Sequence, residues 1–197
     1  PPKRAVERRD RGWELTGQPG RARRVITSLG LAPEVMERVN LRIQEKEALI
    51  RAREIRFEER WTEDATLLVV AFGSAARIAQ SAIKEARLRG IRAGLFRPVS
   101  LWPFPARRLR ELAGRIPRIL VVELNAGQMV EDVRLAAAGS GATIEFFGRL
   151  GGLVPLPDEI LERIVAVAPS AGPLVPEWSG RGNGALRGHA KVPGGGR

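Results

Sequence analysis

An α/β fold, a parallel sheet with helices on both faces, is predicted for residues 61–168. Three observations carry this expectation. Apolar runs of buried-strand length recur, the first being Leu67-Leu68-Val69-Val70-Ala71-Phe72. Segments of helical periodicity separate them, and helix crossovers are what parallel strands need. Glycine and proline stand where such elements start and stop, at Gly73, Gly90, Pro105, Gly127 and Pro157.

The elements follow in order. Residues 1–32, rich in Arg, Gly and Pro, read as an extended arm anchored by Trp13, Leu15, Val25, Ile26, Leu29 and Leu31. Pro33 opens a connector helix assigned to residues 33–60, apolar to about Phe57, with Glu34/Arg38 and Glu47/Arg51 spaced for i,i+4 pairs. The α/β domain then runs as strand 67–72, helix 75–89 closed at Gly90, strand 91–96, helix 105–114, strand 119–124, helix 128–138, strand 143–147 and helix 157–168. Residues 169–197, dense in Gly and Pro, are expected to form a disordered tail.

Composition narrows the chemistry. With no Cys, the chain can form no disulfide and can hold no iron–sulfur cluster by thiolates. Its single His, His189, sits in the glycine tail, so no His-rich metal site or Ser-His-Asp triad is expected. No run reaches the roughly 20 apolar residues of a membrane helix. The opening Pro-Pro-Lys-Arg lacks an initiator Met and an apolar signal, which predicts a cytoplasmic chain cut from something longer. The net charge of +11 raises a basic nucleotide- or nucleic-acid-binding module as the alternative function. Its distribution speaks against that: Lys/Arg and Asp/Glu number 15 and 10 over residues 1–60, 14 and 11 over 61–168, and 4 and 1 over 169–197. A dispersed excess is ordinarily a solvated surface, so neither nucleic acid nor membrane is expected as a partner.

Candidate site residues gather at the predicted strand ends, the edge where open α/β sheets bind ligands. Gly73, Ser74 and Arg77 form a strand-to-helix turn that either meets an anion or has Ser74 cap the helix and Gly73 permit the turn. Arg97, Trp102 and Phe104 lie in a stiff proline-rich loop, where the aromatics either roof the core or face a partner. Glu123, Asn125 and Gln128 follow the third predicted strand; Glu123 could orient Arg97 in one crevice, and no second titrating group argues for acid/base catalysis. Arg149 sits in a Gly-rich loop that is either an anion nest or a wide turn. No catalytic residue and no metal ligand is assigned.

Several strings together carry a family resemblance. Trp13-x-Leu15-Thr16-Gly17, Ser28-Leu29 and Asn40-x-x-x-Gln44-Glu45-Lys46 resemble the connector of 2-oxoacid:ferredoxin oxidoreductase alpha-type subunits. Phe72–Arg77, Gly94–Pro105, Val122–Met129 and Gly148-Arg149-x-Gly151-Gly152 resemble its transketolase C-terminal-type domain, nearest the 2-ketoisovalerate branch. The resemblance spans residues 12–168. It implies oxidative decarboxylation of a 2-oxoacid on thiamine diphosphate and Mg²⁺, with coenzyme A as acyl acceptor and ferredoxin reduced through Fe–S clusters. It also implies a heteromeric complex: a thiamine-diphosphate-binding beta subunit, a gamma subunit and a ferredoxin-like Fe–S subunit. On that reading this chain binds no cofactor alone and is inactive in isolation. Arg97, Trp102, Phe104, Glu123, Asn125 and Gln128 become interface or supporting candidates, and Gly73, Ser74, Arg77 and Arg149 candidates for contact with anions or coenzyme A.

Overall fold

A computed structural model describes residues 12–25, 28 and 30–168; the expected tail, with His189, lies outside the described residues, as do Ile26 and Leu29. The chain divides into two compact units at residue 55.

In the first unit, described residues 12–25 contain no helix or strand, and Trp13, Leu15 and Val25 are exposed. Helix α1 spans Pro33–Arg53 and buries none of its residues. Pro33 stands at its first turn, where a missing N–H costs nothing, and the Ala32 carbonyl accepts from Val35 and Met36. The expectation of a helix continuing to residue 57, within a connector to 60, is corrected here: α1 stops at Arg53 and Phe57–Arg60 is strand β1. The heptad-like charges of Glu54, Glu58 and Glu59 continue a helical pattern, but pairing with a distant strand decides the conformation.

The second unit holds the sheet. Its strands are β1 (Phe57–Arg60), β2 (Leu67–Ala71), β3 (Ala93–Pro98), β4 (Arg118–Glu123) and β5 (Thr143–Gly148), in the order β1-β3-β2-β4-β5. β2, β3, β4 and β5 are parallel, and β1 adds an antiparallel edge to β3. The sheet is thus mostly, not wholly, parallel. β2 is central and all five of its residues are buried, as its unbroken apolar run requires.

Helices α2 (Gly73–Leu88) and α5 (Pro157–Val167) cover one face, packing Ala79, Ile83, Ile160 and Ile164 onto Leu67, Val69, Leu120 and Val122. Helices α3 (Ala106–Ala113) and α4 (Met129–Ala137) cover the other, packing Leu109, Leu112, Val130 and Val133 onto Leu68, Val70, Phe96 and Val121. The alternation of side chains along each strand feeds both cores.

β1 is held by three devices. Phe57 stacks on Phe96 with ring centroids 5.4 Å apart. Glu58 pairs with its cross-strand neighbour Arg97 at 3.1 Å. Glu59 accepts two bonds from Arg108 of α3, at 2.6 and 3.0 Å, and a third from the Thr62 hydroxyl at 2.9 Å. The Arg108 guanidinium holds the Glu59 carboxyl below the usual carboxylate range; burial opposes this, and Thr62 adds to it.

Candidate functional site

β2 and β4 are neighbours, yet the helices that follow them, α2 and α4, lie on opposite faces of the sheet. Between their carboxyl ends such a fold opens a crevice, and its usual occupant is an anion held on a helix N-terminus. Here the crevice has a volume of about 190 Å³ and is lined by Phe72, Leu101, Glu123, Gln128, Met129 and Asp132.

Glu123, the last residue of β4, is fully buried at its base. One carboxylate oxygen accepts from the backbone N–H of Val130 at 2.9 Å. The other accepts from the N–H groups of Met129 at 2.9 Å and Gln128 at 3.3 Å, and from the Asn125 side-chain amide at 3.1 Å. Three of these donors stand at the N-terminus of α4, Gln128 just before it and Met129 and Val130 in its first turn, where N–H groups have no partner within the helix. A buried carboxylate costs several kcal/mol to desolvate, by order of magnitude. Four donors and the positive end of a helix offset that cost. Glu123 therefore occupies the place an external anion would take.

The surrounding turn is shaped to allow this. Asn125 bends the chain by accepting from the Gly127 N–H at 2.7 Å, and Gly127 takes a φ of 104° that disfavours any side chain. Gly148, at the end of β5, passes so close that a Cβ would lie 2.4 Å from the Asn125 carbonyl oxygen. The Arg149 N–H then donates to the Glu123 carbonyl at 3.2 Å.

Of the residues singled out in the sequence, Glu123, Asn125 and Gln128 form this one cluster. Arg97 does not join it, which corrects the expectation that Glu123 orients it. Glu123 points to the α3/α4 face with Val121, whereas Arg97 alternates with Phe96 and so points to the α2/α5 side, bonded to Glu58. Arg149 pairs with Glu159 of α5 and lies over the Phe147 ring, 5.6 Å from its centroid. Gly73, Ser74 and Arg77 stand exposed at the start of α2; Ser74 is inside the helix and makes no cap. Phe104 packs on the α3/α4 core, while Trp102 is 52% exposed.

Three contributors were not anticipated: the backbone donors of Met129 and Val130, the crevice wall of Leu101 and Asp132, and Glu159. For Glu159 a signal existed. It stands at the third position of α5, where an acidic side chain commonly reaches back, as it does to the Leu156 N–H at 2.9 Å.

The proline-rich loop is pinned from behind. The Arg56 carbonyl accepts from the N–H groups of Val99 and Ser100 at 2.9 and 3.0 Å, and the Ser100 hydroxyl donates to the Pro103 carbonyl at 2.9 Å. So fixed, the strand-end loops display Val99, Leu101, Trp102, Leu124, Leu150, Leu153 and Val154 to solvent. Exposed large apolar side chains gathered on loops at one sheet edge are the kind of surface that partners cover.

Among the described residues, no group of three or more His, Cys, Asp or Glu side chains is placed to hold a metal ion. The crevice is lined by two acidic residues, one amide residue and three apolar ones, with no cationic side chain to meet a diphosphate. No helix of the described residues is long and apolar enough to cross a membrane.

Comparison with known proteins gives a consistent picture. Residues 65–160 match the family described as pyruvate:ferredoxin oxidoreductase core domain II. The ketoisovalerate oxidoreductase subunit VorB of Methanothermobacter thermautotrophicus is 41% identical over 169 residues, 85% of this chain and 47% of the relative. The 2-oxoglutarate synthase subunit KorA of Methanothermobacter marburgensis is 36% identical over 135 residues, 68% of this chain and 36% of the relative. The chain thus spans about half or less of the length of these curated relatives. Among solved structures, the 2-oxoglutarate:ferredoxin oxidoreductase of Magnetococcus marinus, determined with 2-oxoglutarate, coenzyme A and succinyl-CoA bound, superposes with a TM-score of 0.61. That match has 19% identity and covers 70% of this chain and 24% of that one, a likeness of fold.

Proposed function

We propose, from the premise that residues 65–160 belong to the pyruvate:ferredoxin oxidoreductase core domain II family, that this chain docks and steadies its neighbours in a 2-oxoacid:ferredoxin oxidoreductase. The whole enzyme would decarboxylate a 2-oxoacid oxidatively, with coenzyme A as acceptor and ferredoxin reduced. The VorB relative favours a branched substrate of the 2-ketoisovalerate type. Thiamine diphosphate, Mg²⁺ and Fe–S clusters would be held by the remainder of the complex: beta, gamma and ferredoxin-like subunits, in the cytoplasm. No catalytic step is assigned to a residue of this chain.

The observation that carries this reading is the self-occupied crevice. Glu123 satisfies the helix end of α4 that a ligand would use, so this crevice is closed to anions, and the loops around it offer apolar side chains outward. Trp102 is the anchor proposed at its centre, with Leu101 beside it; Arg97 and Gln128 would border the contact. Gly73, Ser74 and Arg77, exposed at the start of α2, are the positions proposed to meet an anionic group of a neighbour or of coenzyme A. The dispersed charge does not favour the nucleic-acid alternative.

The test is co-expression of the tagged chain with the other subunits. The wild-type chain should capture them, and Trp102→Ala should weaken capture about tenfold or more, the size of an aromatic interface anchor, with the variant shown folded by its melting transition. Undiminished capture by the double variant Leu101→Ala/Trp102→Ala would overturn the assignment of this edge.

A further inference from the structure

We infer that β5 is a pairing edge for a second copy of this chain, joined antiparallel about a two-fold axis at Phe146. This does not depend on the oxidoreductase reading. Among the described residues, β5 ends the sheet and pairs with β4 alone. The Thr143 N–H donates to the Pro117 carbonyl and the Arg149 N–H to the Glu123 carbonyl, so odd-numbered residues turn their backbone groups toward β4. By the alternation of a parallel ladder, Ile144, Phe146 and Gly148 turn theirs outward. The two free edges differ. β1 is four residues long and three of them, Glu58, Glu59 and Arg60, are charged, which is how natural edges are guarded. β5 is six residues, Thr-Ile-Glu-Phe-Phe-Gly, with a single charge.

Charge placement identifies the occupant. Glu145 and Phe147 share the α5 face. Glu145 is exposed and engages no cation among the described residues. Arg163 of α5 is exposed too; its guanidinium lies over the Phe147 ring, 5.2 Å from the centroid, and engages no carboxylate among the described residues. Both line an open groove of about 460 Å³ along the strand, with Arg118 and Phe146. An axis at Phe146 sets Glu145 of one copy opposite Phe147 of the other, beneath its Arg163. The same contact occurs twice. On the opposite face the axis sets the two Phe146 residues directly opposite each other, each ring packed on its own α3/α4 core, so no charge faces a charge there. Ile144 meets Gly148 of the other copy, matching outward backbone groups to outward backbone groups. An axis one residue earlier would instead oppose Glu145 to itself, and like charges directly opposite are destabilising.

Sedimentation or light scattering on the full chain tests this. At ~100 µM, the expected species has twice the 21.6 kDa mass of the chain. Glu145→Arg should weaken the dimer about tenfold or more by setting like charges together. Adding Arg163→Glu should restore it, which a merely structural role for either residue would not produce. Both positions are exposed, so the variants should melt like wild type. A chain that stays at monomer mass at every concentration, or a dimer that Glu145→Arg leaves intact, would overturn the inference.

Discussion

Glu123 is a buried charge whose partners are almost all main-chain groups, and this makes its removal expensive. Glu123→Ala leaves the donors of Gln128, Met129 and Val130 facing a void. The expected loss is about 3 kcal/mol, or roughly 10 °C in melting temperature for a domain of this size. Asp132→Ala, on the exposed rim of the same crevice, should change stability by less than about 0.5 kcal/mol. Urea unfolding of the two variants side by side separates a structural carboxylate from a rim one. Much of this residue's importance was legible in the sequence: a carboxylate and two amides at a strand end are conspicuous. Its partners were not, because backbone donors carry no side-chain signature. Nor was its separation from Arg97, since the relative facing of two strands is fixed only once their register is known.

Among the elements, β1 was the one the sequence concealed. Four residues give too short a stretch for a period, and Glu58, Glu59 and Arg60 read equally well as the end of a charged helix. What makes them a strand is long-range: the register with β3 and the grip of Arg108 on Glu59. The parallel strands announced themselves because burial on both faces demands unbroken apolar runs, as in β2. The Arg108 grip is pH-dependent. Glu59 has a depressed folded-state pKa, so its contribution is present above the ordinary carboxylate value of about 4.3 and is lost as pH falls through the lower folded value. Stability measured from pH 7 down to about 3 should therefore drop on the acid side, and less steeply in Arg108→Met. Equal acid slopes in the two proteins would show that the pair contributes nothing to folding.

On the scale of the whole chain, the two units differ in what holds them. The sheet carries two cores, whereas α1 has 21 residues and buries none. Most helix stability in proteins comes from a packed face, which α1 lacks among the described residues. In the isolated chain, amide exchange in α1 should be at least ~100-fold faster than in β2 and β4, and it should slow when the other subunits are added. Exchange in α1 as slow as in β2 would mean that the helix is already buttressed. The sequence foretold the helix through its periodicity and Pro33, but it could not tell whether the helix docks, because a charged face and an unfilled contact face look alike in one chain.

The bonds between Arg56 and the loop after β3 have a mechanical consequence. Arg56 is where the chain enters the domain, and its carbonyl and N–H both hold the segment Val99–Ser100. Arg56 and the loop bearing Trp102 are therefore positioned by the same set of bonds. Chain entry and the Trp102 loop are thus tied together by hydrogen bonds of the Arg56 main chain.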